Sequence, residues 1–301
     1  MEIEQVKHKT RGDIMEFKIL SMETKPNAEF VADGIKLTNC VELHNQGFYG
    51  EGMRVCVIDT GYSVHDFTKD NIICGKNFTN ESNEDDYNDL NGHGAFCIGE
   101  IVQVAPKCQV VVAKALDKSG TGDFNSIINA FKYAIEQNCH IISMSLGSTT
   151  QSEELHKLIK QANELGIVVC TAAGNEGDGN CSTDEVSYPA NYEEVINVGA
   201  VNIDKSIANY SNSSQWVDIC AAGTNITSTF LNNKWCNSSG TSMACPIVAG
   251  VSLLLREKFI KEFERQPSEQ EMYGQLIKNT EDLHISRRFQ GNGFLRIKGE
   301  E

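Results

Sequence analysis

A three-layer α/β fold, with a central mostly parallel sheet and helices on both faces, is what this sequence predicts. Short apolar runs end abruptly at turn residues, as strands buried on both faces do. Amphipathic stretches with helical spacing lie between them. Strands that alternate with helices pack as a parallel sheet with right-handed crossovers.

Along the chain, Arg54-Val-Cys-Val-Ile-Asp59 is the first such run, stopped by Thr60-Gly61. Gln109-Val-Val-Val-Ala-Lys-Ala115 is the second. Residues 124–138 then place Ile127, Ile128, Phe131, Ala134 and Ile135 on one helical face. Cys139-His-Ile-Ile-Ser-Met144 reads as a strand, and residues 153–165 as a helix facing inward through Leu155, Leu158, Ile159, Ala162 and Leu165. Gly166-Ile-Val-Val-Cys-Thr171 is the next strand. From Met243 to about Leu255 the chain is apolar all round, which suits a buried central helix. Ser268-Glu-Gln-Glu271, after Pro267, is a capping box that opens a last helix towards Asn279. No internal repeat or Pro-, Gly- or Ser-rich linker divides the chain. In such sheets ligands bind outside the carboxyl ends of the strands, and Asp59 sits at one.

Composition narrows the function. A chain of 301 residues with 40% apolar content can bury the core of one large domain. Its formal charge of −15 argues against nucleic acid, which needs clustered Lys and Arg. No apolar run approaches the roughly 18 residues of a membrane span. The start, Met1-Glu-Ile-Glu-Gln-Val-Lys7, lacks the apolar core of a secretory signal. The 11 cysteines are an odd number without paired spacing, so most read as reduced core thiols. A cytoplasmic location is therefore expected.

Three distant runs carry the chemistry: Val57-Ile-Asp59-Thr-Gly61, Asn91-Gly-His93-Gly94 and Ser239-Gly-Thr-Ser242-Met-Ala-Cys-Pro246. Alone, Asp59 would begin a turn, His93 would be a loop residue and Ser242 a helix cap. Together they supply a carboxylate, a base and a hydroxyl. A serine becomes a nucleophile when a base takes its proton and a carboxylate holds that base. The chain order Asp, His, Ser is the subtilisin order.

On these motifs the chain resembles the subtilisin-like serine proteases, and most closely the intracellular subtilisins. The resemblance runs from about Gly34 to Leu295; Gly75-Lys-Asn-Phe-Thr79, Leu276-Ile-Lys-Asn-Thr280 and Gly291-Asn-Gly-Phe-Leu295 look intracellular in type. It implies a serine endopeptidase with Asp59, His93 and Ser242 as the catalytic triad. In Thr171-Ala-Ala-Gly174-Asn175-Glu-Gly177, it makes the Asn175 amide, with the Ser242 backbone N–H, the oxyanion hole. Gly120, Thr121 and Gly122, with Ser145, Leu146 and Gly147, correspond to the edges between which a peptide adds as a strand. Ser145 to Gly147 and Ala172, Ala173 and Gly174 line the primary pocket, with Glu176 and Ser187 near its end. Apolar walls suit medium-to-large apolar residues before the cut, and Glu176 leaves a basic residue open.

The chain also departs from the family. Ala95 and Phe96 replace the usual Thr and His after His93-Gly94. Ile101-Val-Gln-Val104 runs straight into Ala105-Pro106, leaving no room for the Asn-rich calcium loop of secreted relatives. The acidic stretches 81–89 and 176–185 lack EF-hand spacing. The second resembles a cation-binding stretch of intracellular subtilisins, so a structural calcium stays open although no residue is assigned as a ligand. No cofactor is needed for the chemistry.

Residues 1–33 form an N-terminal extension, and 34–301 the peptidase domain. Intracellular relatives carry a brief extension across the active site; here Met15-Glu-Phe-Lys-Ile-Leu20 takes that place without the expected proline. An inhibitory propeptide and a passive tail both stay open. The expected partner is a peptide or protein substrate, with no nucleic acid and no membrane; a homodimer stays open. Competing readings are a processing protease for one propeptide or leader, and a peptide-binding pseudoprotease. A nucleotide-binding protein would need a P-loop or a post-strand GxGxxG, and neither occurs.

Overall fold

In the computed structural model, residues 14–16, 21–25 and 32–299 are described. The strands in chain order are β1 (Ile14–Glu16), β2 (Ser21–Lys25), β3 (Arg54–Asp59), β4 (Ile72–Asn77), β5 (Gln109–Lys114), β6 (Thr121–Asp123) and β7 (Ile141–Met144). They continue with β8 (Val168–Ala172), β9 (Ile196–Val201), β10 (Ile219–Ala222), β11 (Ile226–Phe230), β12 (Lys234–Ser239), β13 (Thr280–Glu281) and β14 (Phe294–Leu295). The helices are α1 (Asp33–Lys36), α2 (Val41–Asn45), α3 (His93–Val104), α4 (Phe124–Glu136), α5 (Glu153–Glu164), α6 (Thr241–Phe263), α7 (Glu269–Lys278) and α8 (Arg287–Gln290).

Nine strands form one sheet in the order β13-β14-β10-β9-β8-β7-β3-β5-β4. Every pairing in it is parallel except β13 with β14. Both faces are buried, which explains the continuous apolar runs. Val55 and Val57 pack with α3 and α6, while Cys56 and Ile58 pack with α4 and α5. The three-layer α/β expectation therefore holds. Outside this sheet, β11, β12 and β2 form an antiparallel group, and β1 pairs with β6.

The helices begin where their caps put them. Asp123 accepts from Ser126 N to open α4, and Ser152 accepts from Leu155 N to open α5. The capping box of Ser268 and Glu271 is present at α7. Leu165, expected on the inward face of α5, is instead 57% exposed. It is the C-cap residue, and Gly166, with φ of 74°, turns the chain off that face.

The helix expected to end near residue 255 runs on to Phe263. Arg256 and Glu257 look like a polar end, yet both are buried. Arg256 donates to the Gly166 carbonyl at 2.6 Å, and Glu257 Oε2 accepts from the Tyr49 and Gly50 N–H groups at 2.8 and 2.6 Å. Burial of these charges is sustained by partners. All described cysteines are free, and most are buried, as expected of core thiols.

Glu100 on α3 is fully buried, and among the described residues neither carboxyl oxygen has a partner. Desolvation pushes its pKa well above the ordinary 4.5. The folded state therefore keeps a proton that the unfolded chain releases, so stability falls as pH rises above about 4.5. Glu100→Gln is expected to raise Tm by roughly 2 °C or more at pH 8, and by less at pH 5. Thermal melts at the two pH values check this; an equal gain at both would refute the linkage.

Candidate active site

His93 is the first residue of α3, and the loop before it is tightly held. The Asp89 carboxylate accepts from Asn91 N and Gly92 N at 2.8 Å each and from Ala95 N at 2.9 Å. It thereby satisfies donors that a helix start leaves without intrahelical partners. Gly94 N donates to Thr60 Oγ1 at 2.8 Å. A Cβ on Gly94 would fall 2.4 Å from the Gly61 carbonyl oxygen, so the residue after the base has to be glycine.

Asp59 ends β3 at the carboxyl edge of the sheet and is buried. Its Oδ1 and Oδ2 lie 2.8 and 2.9 Å from His93 Nδ1. With the proton assigned to Nδ1, His93 donates to Asp59 and keeps Nε2 as the basic nitrogen. Thr60 N also donates to Asp59 Oδ1, at 2.7 Å. Beneath this turn, buried Lys114 Nζ donates to the Thr60 and Leu116 carbonyls at 2.8 and 3.2 Å and pairs with Glu81 at 3.1 Å.

Ser242 is the second residue of α6, not its cap; the cap is Gly240, at φ of 155°. A Cβ there would lie 3.3 Å from Asn175 Nδ2. Pro246 has no N–H for the Ser242 carbonyl four residues earlier. Ser145 Oγ donates to that carbonyl at 2.9 Å and Cys97 Sγ at 3.7 Å. The Ser242 hydroxyl donates to the Ser145 carbonyl at 3.3 Å. Cys97 Sγ also lies 3.9 Å from His93 Nδ1, so one thiol touches both the base and the backbone of the serine. Burial first, then the charges of Asp59 and Glu100, pushes that thiol's pKa well up, so it stays protonated.

Asn175 is buried beside the start of α6. Its Oδ1 accepts from Thr241 N at 2.8 Å and Thr241 Oγ1 at 3.0 Å, and Gly174 N donates to Thr241 Oγ1 at 3.1 Å. The oxygen is thus committed to Thr241, and the remaining donor end of the amide is its NH2 group.

The other expected site residues fall around this centre. The Asp117 carboxylate accepts from Ser119 N at 2.8 Å and Thr121 N at 3.1 Å, shaping the turn that carries Gly120, Thr121 and Gly122. Ser145 and Leu146 are buried, and a Cβ on Gly147 would fall 2.2 Å from Ser187 Oγ. Ala172 and Ala173 are buried at the end of β8. Glu176 Oε2 accepts from Asn175 N at 3.0 Å and Asn212 Nδ2 at 3.2 Å. Its charge meets neutral donors there.

Among the described residues, Asp59, His93 and Cys97 form the one group of three whose donor atoms converge, within 4.8 Å, as metal ligands would. Sulfur and imidazole suit a soft or borderline cation rather than calcium. Four carboxylates of the acidic loops have protein partners. Glu81 pairs with Lys114, Glu84 with Lys76, Asp184 with Arg288, and Glu185 accepts from Ser213 N. A mercurial on Cys97 is expected to displace His93 from Asp59 and abolish hydrolysis. Activity assays with mass mapping of the modified cysteine check this; full activity with Cys97 modified would refute it.

Sequence reasoning did not single out Asp89, Lys114 or the supporting bond from Ser145. A carboxylate just before a helix start is a readable capping signal, and a lysine closing an apolar strand marks a buried cation that needs partners. The bond from Ser145 to the Ser242 carbonyl had no signal beyond the helix proline.

Comparison with known proteins shows the family of the chain. Residues 50–293 match the model of the subtilase family. The chain is 39% identical over 299 residues to the major intracellular serine protease of Bacillus subtilis (strain 168), covering 95% of this chain and 94% of that protein. It is 40% identical over 300 residues to the intracellular serine protease of Paenibacillus polymyxa, covering 96% and 91%. It is 38% identical over 241 residues to subtilisin E of Bacillus subtilis, covering 77% and 62%. The chain belongs to the subtilase family.

Proposed function

We propose that Ser242, His93, Asp59 and Asn175 carry the peptide hydrolysis of this subtilase, a serine endopeptidase that works inside the cell. The observation that supports the assignment best is the buried pair of contacts from Asp59 to His93 Nδ1, at 2.8 and 2.9 Å. Ser242 Oγ attacks the substrate carbonyl carbon as His93 Nε2 takes its proton. Asp59 holds the ring and stabilises the imidazolium. The Asn175 NH2 and the Ser242 N–H receive the oxyanion. His93 returns the proton to the leaving amine, and water then releases the acyl group by the same steps. No cofactor enters. Residues 145–147 and 172–174, with Ser187 and Glu176, form the pocket for the side chain before the cut.

Residues 1–33 act as a covering extension of the peptidase domain, 34–301. Support comes from β1, whose Met15 pairs with Gly122, and from β2, paired along β12. Residues 17–20, the rest of the stretch expected across the active site, lie outside the described residues. The tether gives the segment a high effective concentration. Wild type is expected to shorten its N-terminus while Ser242→Ala protein stays full length. A chain beginning near Asn27 is expected to cleave a peptide faster from the first time point. Equal initial rates without trimming would leave residues 1–33 a passive tail.

A further inference from the structure

The acidic stretch that begins at Glu81 reaches both halves of the site through one side chain. Lys114 closes β5 and is 1% exposed, so its ammonium needs a partner for every proton it can donate. Two of its donors go to the Thr60 and Leu116 carbonyls, at 2.8 and 3.2 Å, and the third to Glu81 Oε2 at 3.1 Å. Thr60 follows Asp59, and its Oγ1 accepts from Gly94 N, beside His93. The other Glu81 oxygen, Oε1, accepts from Lys118 N at 3.0 Å. Asn91 Nδ2, two residues before His93, donates to the Lys118 carbonyl at 3.0 Å. Lys118 lies in the turn that Asp117 N closes onto the Thr121 carbonyl at 2.8 Å, just before Gly122.

We infer that Glu81 is a positioning residue for hydrolysis: through Lys114 it sets the Asp59–Thr60 turn, and through Lys118 N it sets the peptide-binding edge. The inference rests on the reading of Asp59 as a triad member and of residues 120–122 as the edge that a peptide joins. Glu81 touches no reacting atom. It acts by keeping a buried cation in place. Without the carboxylate, the ammonium is a buried charge short of one partner, and breaking such a pair from one side is costly. The ammonium then turns towards water, and its bond to the Thr60 carbonyl is lost. A displacement of about 1 Å in a group that orients catalysis can cost up to about 100-fold in rate. The two carboxylate oxygens serve different links, so different variants separate them. Glutamine keeps a carbonyl oxygen for Lys118 N and withdraws the charge from Lys114; alanine withdraws both.

The test uses the full chain and two substrates. One is an N-acetylated single-residue ester, too short to pair along residues 120–122; the other is a peptide with several residues before the cut. Rates are referred to the concentration of chains that a fluorophosphonate labels, so unfolded protein does not enter them. For the ester, Glu81→Gln is expected to lower kcat about tenfold with KM nearly unchanged. Lys114→Met, which replaces the cation by an apolar chain of similar size, is expected to lower it about as much. The double variant should lose no more than the worse single one, because both changes remove the same link. For the peptide, Glu81→Ala should raise KM about threefold or more above Glu81→Gln, the worth of one lost hydrogen bond. The ester should show no such difference. An unchanged kcat per labelled chain in Glu81→Gln, or losses that multiply in the double variant, would overturn the link to the Asp59 turn. Equal KM for the peptide in Glu81→Gln and Glu81→Ala would overturn the link to the edge. A wild-type chain that takes up no label and cuts neither substrate would instead remove the peptidase reading, and this inference with it.

Discussion

Ser242→Ala is expected to abolish peptide hydrolysis while leaving the fold intact. Loss of the serine in a subtilisin, the standard case for this family, costs about 10⁶-fold in turnover. The fold should survive because the support of α6 at this point is backbone. The Ser242 carbonyl keeps its bonds from Ser145 Oγ and Cys97 Sγ whatever the side chain. Among the described residues the hydroxyl itself donates to the Ser145 carbonyl at 3.3 Å. Tm should therefore stay within about 2 °C of wild type, a small surface-like effect for a buried but weakly bonded hydroxyl. Turnover within tenfold of wild type would remove Ser242 from the mechanism. A large loss of Tm would make the activity loss uninformative about chemistry, so both are measured on one preparation.

Asn175→Ala is expected to lower turnover by about 100–1000-fold, the range known for the oxyanion asparagine of a subtilisin. KM should change little, because the bond strengthens only as charge develops. The structure adds a complication that a second variant resolves. Asn175 Oδ1 also accepts from Thr241 N and Oγ1, so alanine removes an anchor of the Ser242 turn as well as a donor. Asn175→Asp keeps an oxygen for Thr241 and removes the NH2. If the donor carries the effect, aspartate is at least as slow as alanine. Near-normal turnover in Asn175→Asp would show that Asn175 acts by holding Thr241.

Much of this site is legible in the sequence because local chemistry forces it. Asp59 ends an apolar strand, His93 needs glycine beside it, and Ser242 follows a glycine whose φ few other residues adopt. The strands β3, β5, β7 and β8 stand out because burial on both faces removes polar residues from them. Elements held by distant partners are harder to see. Arg256 and Glu257 read as the end of a helix, since the backbone groups that satisfy them lie about 90 and 207 positions away in the chain. The short strand β1 is an edge pairing whose partner is a glycine turn, so no periodicity marks it. Cys97 is readable from helical spacing alone: four residues after His93, it lies one turn on and under the ring.

The most direct test of the account is covalent labelling with a fluorophosphonate, followed by intact-mass and peptide-mass analysis. Phosphorus reacts with a serine only when a base activates it and the oxyanion site receives the phosphoryl oxygen. The account predicts one adduct per chain, on the peptide containing Ser242, and none in His93→Ala. An adduct on another residue, or an actively hydrolysing protein that takes up no label, would contradict it.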